Sequence, residues 1–253
     1  MAVLSDILQP VLDALLGRGL PAPDDAIRDA SWAPDAPWSW CPRCGGGCRP
    51  GGAGGTSPSR ARIARMVCAT CIAGAPRTSR APVTVTRLGE HAGPLRGWVI
   101  DVKHAQWESM GERLGEEIGA QLARCGVVGP NEPGTVLVPV PTPWLRVRER
   151  GIDHTGVLAA AAAAALGVRV VRPLRQRAFG TQVDRSSRAG RAHIRARFEL
   201  AGRLPRCRAA VAGRHAVVID DVRTTGATLA EVSSWLRWLG ATRVDAGVLS
   251  VAS

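Results

Sequence analysis

The chain has 253 residues, 45% of them hydrophobic and 21% charged, with a formal net charge of +12. That length suits one α/β domain with an appendage, or two small domains, and the composition excludes wholesale disorder. No run approaches the roughly 18 uninterrupted apolar residues of a membrane-spanning helix, which excludes a membrane span.

The first 37 residues read as an amphipathic helix and an acidic lead-in. MAVLSDILQPVLDALLGRG has no basic start and carries Asp6, Gln9 and Asp13 within its apolar run. It is a poor secretory signal, so the chain is expected in a reducing, cytoplasmic compartment. A second unit, expected over residues 38–80, holds five of the seven cysteines. Cys41-x2-Cys44, 23 intervening residues and Cys68-x2-Cys71 form two knuckles able to offer four thiolates tetrahedrally to Zn²⁺. Cys48 is a spare thiol that could exchange with Cys44. Gly45–Arg60 is rich in Gly, Pro and Ser and reads as a loop between the knuckles. A ribbon this small depends on its metal to fold and is expected to be structural or a docking module. Cys125 and Cys207 stand alone and read as buried small hydrophobes.

From residue 81 strands and helices alternate. Val83–Thr86, Thr135–Val140, Val168–Val171, Ala216–Ile219 and Val244–Val251 read as strands. Trp107–Cys125, the alanine-rich Ile152–Leu166 and Thr225–Leu239 read as helices, the last two closed by Gly167 and Gly240. In the last helix Leu229, Val232, Leu236 and Leu239 share one face. This pattern predicts an α/β domain over residues 81–253, a parallel sheet flanked by helices that binds ligands beyond the strands' carboxyl ends.

Charge placement sharpens this. The 33 basic residues are 32 Arg and a single lysine, Lys103, and segment 146–214 alone carries 16 Arg against 4 acids. The preference for Arg over Lys, with no Tyr and abundant Ala, Gly and Pro, fits G+C-rich coding. The clustering is what points to an anionic partner, either nucleic acid or a polyphosphate ligand.

The stretch with the most chemistry is His215-Ala-Val-Val-Ile-Asp-Asp-Val-Arg-Thr-Thr-Gly-Ala-Thr-Leu229. An apolar strand delivers Asp220 and Asp221, and a small-residue turn, Thr224, Thr225, Gly226, Ala227 and Thr228, opens a helix. Unpaired N–H groups, hydroxyls and a glycine at a helix N-terminus make a phosphate cradle. Two carboxylates beside it suit ribose hydroxyls, or a Mg²⁺ held through water. Cradle and acids on one turn suit a ribose 5-phosphate.

This stretch resembles the 5-phosphoribosyl 1-diphosphate (PRPP) signature of type I phosphoribosyltransferases. With the CxxC…CxxC ribbon ahead of it, the chain is similar over residues 38–252 to the ComF family of double zinc ribbon and phosphoribosyltransferase proteins. Val138-Pro-Val-Pro141 and Arg146-Val-Arg-Glu-Arg-Gly151 also match that family. The chain departs from it at Ile152-Asp153-His154, where Phe-Asn-Gln is usual, and at Gly190 and His193. Gln182 and Phe198 fit the family's Arg-rich hood, here about 175–200, and Lys103 falls where members carry lysine.

The resemblance implies that Asp220 and Asp221 bind ribose hydroxyls and that Thr224–Thr228 hold the 5-phosphate. Arg148, Arg150 and the hood arginines would face the diphosphate, where a bidentate guanidinium suits phosphate oxygens. Asp221 is the candidate general base; His154 and His193 read as surface or internally satisfied histidines. Two functions follow. One is a phosphoribosyltransferase using PRPP and Mg²⁺ to transfer phosphoribose to a nitrogen acceptor. The alternative is a non-catalytic module binding PRPP, a nucleotide or single-stranded DNA alongside DNA-uptake proteins in natural transformation. Most of the eight tryptophans, Trp235 and Trp238 included, read as core; Trp38, Trp40 and Trp144 are the candidates for stacking on bases.

Overall fold

The computed structural model describes residues 20–47, 66–73, 81–104, 107–177 and 197–252. Two compact units divide the chain at Ala33 and Pro34. In the first, α1 (Pro23–Asp29) starts on a proline and buries none of its residues. Its Arg28–Asp25 pair at 2.8 Å is exposed on both sides, so it adds little stability.

The second unit contains α2 (Ala69–Ala73), β1 (Val85–Glu90), α3 (Gly93–His104), α4 (Glu108–Arg124), β2 (Thr135–Pro139), α5 (Trp144–Arg150) and α6 (His154–Leu166). It continues with β3 (Arg169–Val170), β4 (Leu174–Gln176), β5 (Phe198–Leu200), α7 (Leu204–Val211), β6 (His215–Arg223), α8 (Ala227–Trp238) and β7 (Arg243–Val251). Five strands form a parallel sheet in the order β1-β7-β6-β2-β3, and β4 and β5 form an antiparallel ribbon. The α/β architecture is the expected one. Among the described residues no helix is long and apolar enough to cross a membrane.

Alternation along the strands sends side chains to two layers. Val136, Val138, Ala216, Val218, Val244, Ala246 and Val248 share a core with Leu229, Val232 and Leu236 of α8. Cys207 and Val211 of α7 join that core. On the other face Gly247 lies under Ile118 and Leu122 of α4. Helices α4 and α6 approach closely because α4 offers glycines to the alanine face of α6. A Cβ on Gly115 would stand 2.7 Å from the Leu158 carbonyl oxygen, and one on Gly119 would stand 2.9 Å from that of Ala162.

Register creates a notch at the carboxyl edge. β6 pairs with β2 only as far as Ile219↔Pro139, yet it stays paired with β7 to Arg223↔Val251. Asp220 and Asp221 therefore sit where β6 has lost its β2 neighbour. The chain leaves β2 toward β3 on one side and β6 toward β7 on the other, so the connections part above this notch. That is where open α/β sheets bind ligands.

Three tryptophans depart from expectation. Trp38 and Trp40 are 3% and 0% exposed, so neither can stack on a base, whereas Trp238 is 45% exposed and not core. Trp235 is buried, as are Cys125 and Cys207.

Candidate functional site

The cysteine cluster is assembled against the sheet edge. Sulfur atoms of Cys41, Cys44, Cys68 and Cys71 all lie within 4.8 Å of one another. Cys44 and Cys68 Sγ are 3.8 Å apart, which matches the sulfur–sulfur edge of about 3.8 Å for a tetrahedron with Zn–S near 2.3 Å. Backbone N–H groups already point at the sulfurs, Gly46 toward Cys44 and Cys68 toward Cys41, each at 3.4 Å. Burial raises the Cys41 thiol, but N–H donation from Cys68, Cys44 and Arg43 outweighs it and brings it down to about 7. Burial pushes the Cys44 and Cys71 thiols up. Four thiols this close fit one Zn²⁺, which would relieve the crowding by binding them as thiolates. Cys48 lies outside the described residues, as does most of the loop between the knuckles.

The first knuckle is bonded into the sheet. Trp40 Nε1 donates to the Val85 carbonyl at 2.8 Å, and Val85 N–H donates to Pro42 at 2.7 Å. Gly45, at φ +69°, turns the chain so tightly against β1 and β7 that a Cβ would stand 2.9 Å from Val251. Arg87, 3% exposed, lies 6.0 Å from the Trp40 ring and pairs with Asp35 at 2.7 Å.

The second site occupies the notch. Asp221 is buried, and its Oδ1 accepts the Val222 N–H at 2.6 Å. Its Oδ2 meets Lys103 Nζ from the last turn of α3 and His154 Nε2 at 3.1 Å from the first turn of α6. Burial works against its charge, but His154 and Lys103 together hold Asp221 well below the carboxylate range. Asp220 accepts the Asp221 N–H at 3.0 Å. Burial first, and then repulsion from Asp221, push Asp220 up to about 8. The pair is thus divided: one carboxyl is pushed down and its neighbour is pushed up.

The turn follows directly. Gly226 is the N-cap of α8 with φ +78°, a left-handed conformation that side chains adopt at a cost. Thr224, Thr225 and Ala227 are exposed, and Ala227 N–H touches Thr225 Oγ1 at 3.3 Å. Two guanidiniums flank the turn. A Cβ on Gly226 would stand 3.0 Å from Arg223 Nε and Nη2, and Arg197 Nη2 donates to Thr228 Oγ1 at 2.6 Å. Arg148 is exposed and Arg150 half-buried on α5, beyond the end of β2, and neither pairs with the acids among the described residues.

Lys103, Asp220, Asp221 and residues 224–228 are therefore brought to one edge. The sequence reading assigned Arg223 no role, held Arg197 only among the hood arginines, and undervalued His154. His154 is 6% exposed, and its place beside Asp221 depends on β6 outrunning β2, which no local sequence signal gives. Gln182, Gly190, His193 and most of the hood lie outside the described residues; Phe198 is buried in β5.

No family model matches the chain, and no curated protein matches it. Among solved structures it is similar to glutamine phosphoribosylpyrophosphate amidotransferase from B. subtilis, at 22% identity over 56% of this chain and 26% of that one, with a TM-score of 0.39. Hypoxanthine phosphoribosyltransferase from Trypanosoma cruzi is 16% identical over 56% of this chain and 64% of that one, with a TM-score of 0.36. The Staphylococcus aureus hypoxanthine phosphoribosyltransferase is 11% identical over 56% and 62% respectively, with a TM-score of 0.34. The chain thus spans about a quarter of the amidotransferase and under two thirds of the other two.

Proposed function

We propose that the protein binds PRPP at the carboxyl edge of its sheet. One observation carries the reading: β6 outruns β2, so the acid pair and the Gly226 turn open onto one notch. The acids take the ribose 2- and 3-hydroxyls. The turn's N–H groups and hydroxyls take the 5-phosphate, with Arg223 beside them. Mg²⁺ bound with the diphosphate would supply charge neutralisation, and Arg148, Arg150 and the basic hood complete that environment.

If transfer follows, a nitrogen nucleophile forms a bond to C1 as the C1–O bond to diphosphate breaks, and the nitrogen gives up a proton. Asp221, tied to Lys103 and His154, is a weak base. Asp220, whose carboxyl is shifted up, is the stronger base of the two once it has been ionised. Its ribbon cysteines hold a structural Zn²⁺. The setting, by resemblance to the ComF family, is DNA uptake in natural transformation.

One observation favours an added single-strand contact. Trp144 is 56% exposed on α5, the helix that also carries Arg146, Arg148 and Arg150, so a base can stack beside phosphate-binding guanidiniums. Such binding falls steeply with salt; salt-insensitive or absent binding removes this second reading.

Metal analysis is expected to give one zinc per chain. PRPP with Mg²⁺ is expected to raise the thermal midpoint of the wild type, and no rise contradicts the ligand assignment. Pyrophosphate release from PRPP across a panel of bases and amines separates enzyme from binding module.

A further inference from the structure

We infer that His154 is a positioning residue for Asp221, the group that keeps this carboxylate in place when the ligand draws Lys103 away. The inference rests on the PRPP reading for its functional meaning, and on geometry for its substance. Two side chains share Asp221 Oδ2, and they differ in how firmly they are held. Lys103 has a flexible four-carbon stem, with 22% of its side chain exposed, near the end of α3. The His154 side chain is 8% exposed and stands at the first residue of α6.

The backbone around His154 is fixed by its neighbours. Asp153 Oδ1 accepts the Gly156 N–H at 3.3 Å as the cap of α6, and Asp153 Oδ2 meets Arg172 at 3.2 Å. Thr155 Oγ1 donates to the Val140 carbonyl at 2.8 Å, tying α6 to the end of β2. His154 therefore reaches Asp221 from a rigid base, and Lys103 reaches it from a movable one.

The other ring nitrogen gives the second observation. His154 Nδ1 is buried and has no hydrogen-bond partner among the described residues. A buried, unpaired nitrogen is a cost that a leucine in the same place would not carry. The site bears that cost and gains a ring nitrogen 3.1 Å from Asp221 Oδ2, an oxygen that is itself buried without a hydrogen-bond partner among the described residues. Packing alone does not account for a histidine here.

PRPP hydroxyls need an acceptor oriented into the notch. Lys103 covers the same oxygen and is the exchangeable partner, whereas His154 Nε2, 3.1 Å away on a fixed helix, stays beside it through exchange and can close onto it as a donor. The acid then enters the complex already oriented, which avoids an ordering cost on binding.

The test compares wild type with His154→Gln, which keeps an N–H donor, and His154→Leu, which keeps bulk alone. Crystal structures of the three unliganded proteins read position directly. Asp221 is expected in the wild-type rotamer in H154Q and rotated in H154L; an unmoved Asp221 in H154L overturns the inference, whatever PRPP does. Calorimetric titration with PRPP and Mg²⁺ reads the consequence. H154L is expected to bind about ten- to a hundredfold more weakly, the value of one hydrogen bond to a charged group, with H154Q within a few-fold of wild type. Equal weakening in both variants, or in neither, also overturns it. Failure of the wild type to bind PRPP overturns the ligand reading instead, and the crystallographic comparison still decides the positioning role. If H154L does not fold, H154Q and His154→Asn, whose amide is too short to reach, carry the same comparison.

Discussion

The two ends of the β6–β7 pair hold carboxylates in opposite conditions. At the amino end Asp245 is fully buried and supplied by strand and backbone partners: Thr84 N–H and Oγ1 donate to Oδ1 at 2.8 and 2.9 Å, and His215 Nε2 and Arg243 meet Oδ2. Burial works against its charge, but His215, Arg243 and Thr84 together lower the Asp245 carboxyl. At the carboxyl end Asp221 relies on a movable lysine and a histidine, and Asp220 has one backbone N–H. An acid whose partners are all part of the frame is structural. An acid left short, beside one held in part by an exchangeable lysine, is waiting for a ligand.

The sharpest way to break this contrast is to remove each acid and read stability and binding separately. Asp245→Ala leaves His215 and Arg243 facing a buried void. It is expected to cost about 3 kcal/mol, the low end for breaking a buried pair because Arg243 is partly exposed. At about 2–4 °C per kcal/mol that lowers the thermal midpoint by roughly 6–12 °C. PRPP binding by the protein that remains folded should be unchanged. If Asp220→Ala costs as much stability as Asp245→Ala, the contrast fails.

Next in size is Lys103→Arg. The guanidinium keeps the charge but is wider and planar, so once the ligand draws it off Asp221 it should meet that ligand poorly and weaken PRPP by about tenfold, one lost charge-assisted bond. Unchanged affinity in calorimetry would show that any cation serves.

A pH experiment follows. Asp220 is shifted up, so its folded form holds a proton that the unfolded chain has lost. Its stability contribution is present below the ordinary carboxylate range and is lost as pH rises toward about 8. Asp221 and Asp245 are shifted down; their contributions are present above that range and are lost only as pH falls below it. His91, lowered by burial and then by Lys103, gains in the opposite sense up to its ordinary value. Subtracting the Asp220→Asn profile from wild type isolates the first effect. The wild-type midpoint should fall relative to the variant between pH 5 and pH 8 in unliganded protein, and parallel profiles would remove the proton from Asp220.

The smallest expected effect belongs to Gly226→Ala. A left-handed conformation costs an alanine about 1 kcal/mol, and the new Cβ would crowd the Arg223 guanidinium at 3.0 Å. Stability should drop slightly and PRPP affinity more, because the turn itself is displaced.

Much of this was legible in residues 215–229, where apolar alternation, an acid pair and a small-residue turn occur in order. Local spacing likewise announced the four cysteines. The edge strand was displaced from expectation, Val85–Glu90 instead of Val83–Thr86, for two reasons. Thr84 turns its N–H to Asp245 while its carbonyl alone stays on the ladder, accepting the Ala246 N–H, and Arg87 breaks the apolar pattern although Asp35 and Trp40 compensate it inside. Helix α3, which positions Lys103, was passed over, although Pro94 in its first turn and Leu95, Trp98, Val99 and Val102 at helical spacing signal it. His154 could not be placed from sequence. Its role depends on β6 outrunning β2 by a few residues, and register between strands some 80 positions apart is a tertiary outcome.

The most direct test of the central claim is a calorimetric titration of PRPP with Mg²⁺ into wild type and the Asp220→Ala/Asp221→Ala double variant. Saturable one-site binding by the wild type and none by an equally folded variant is the predicted result. Equal binding by both, or none by the wild type, would contradict it.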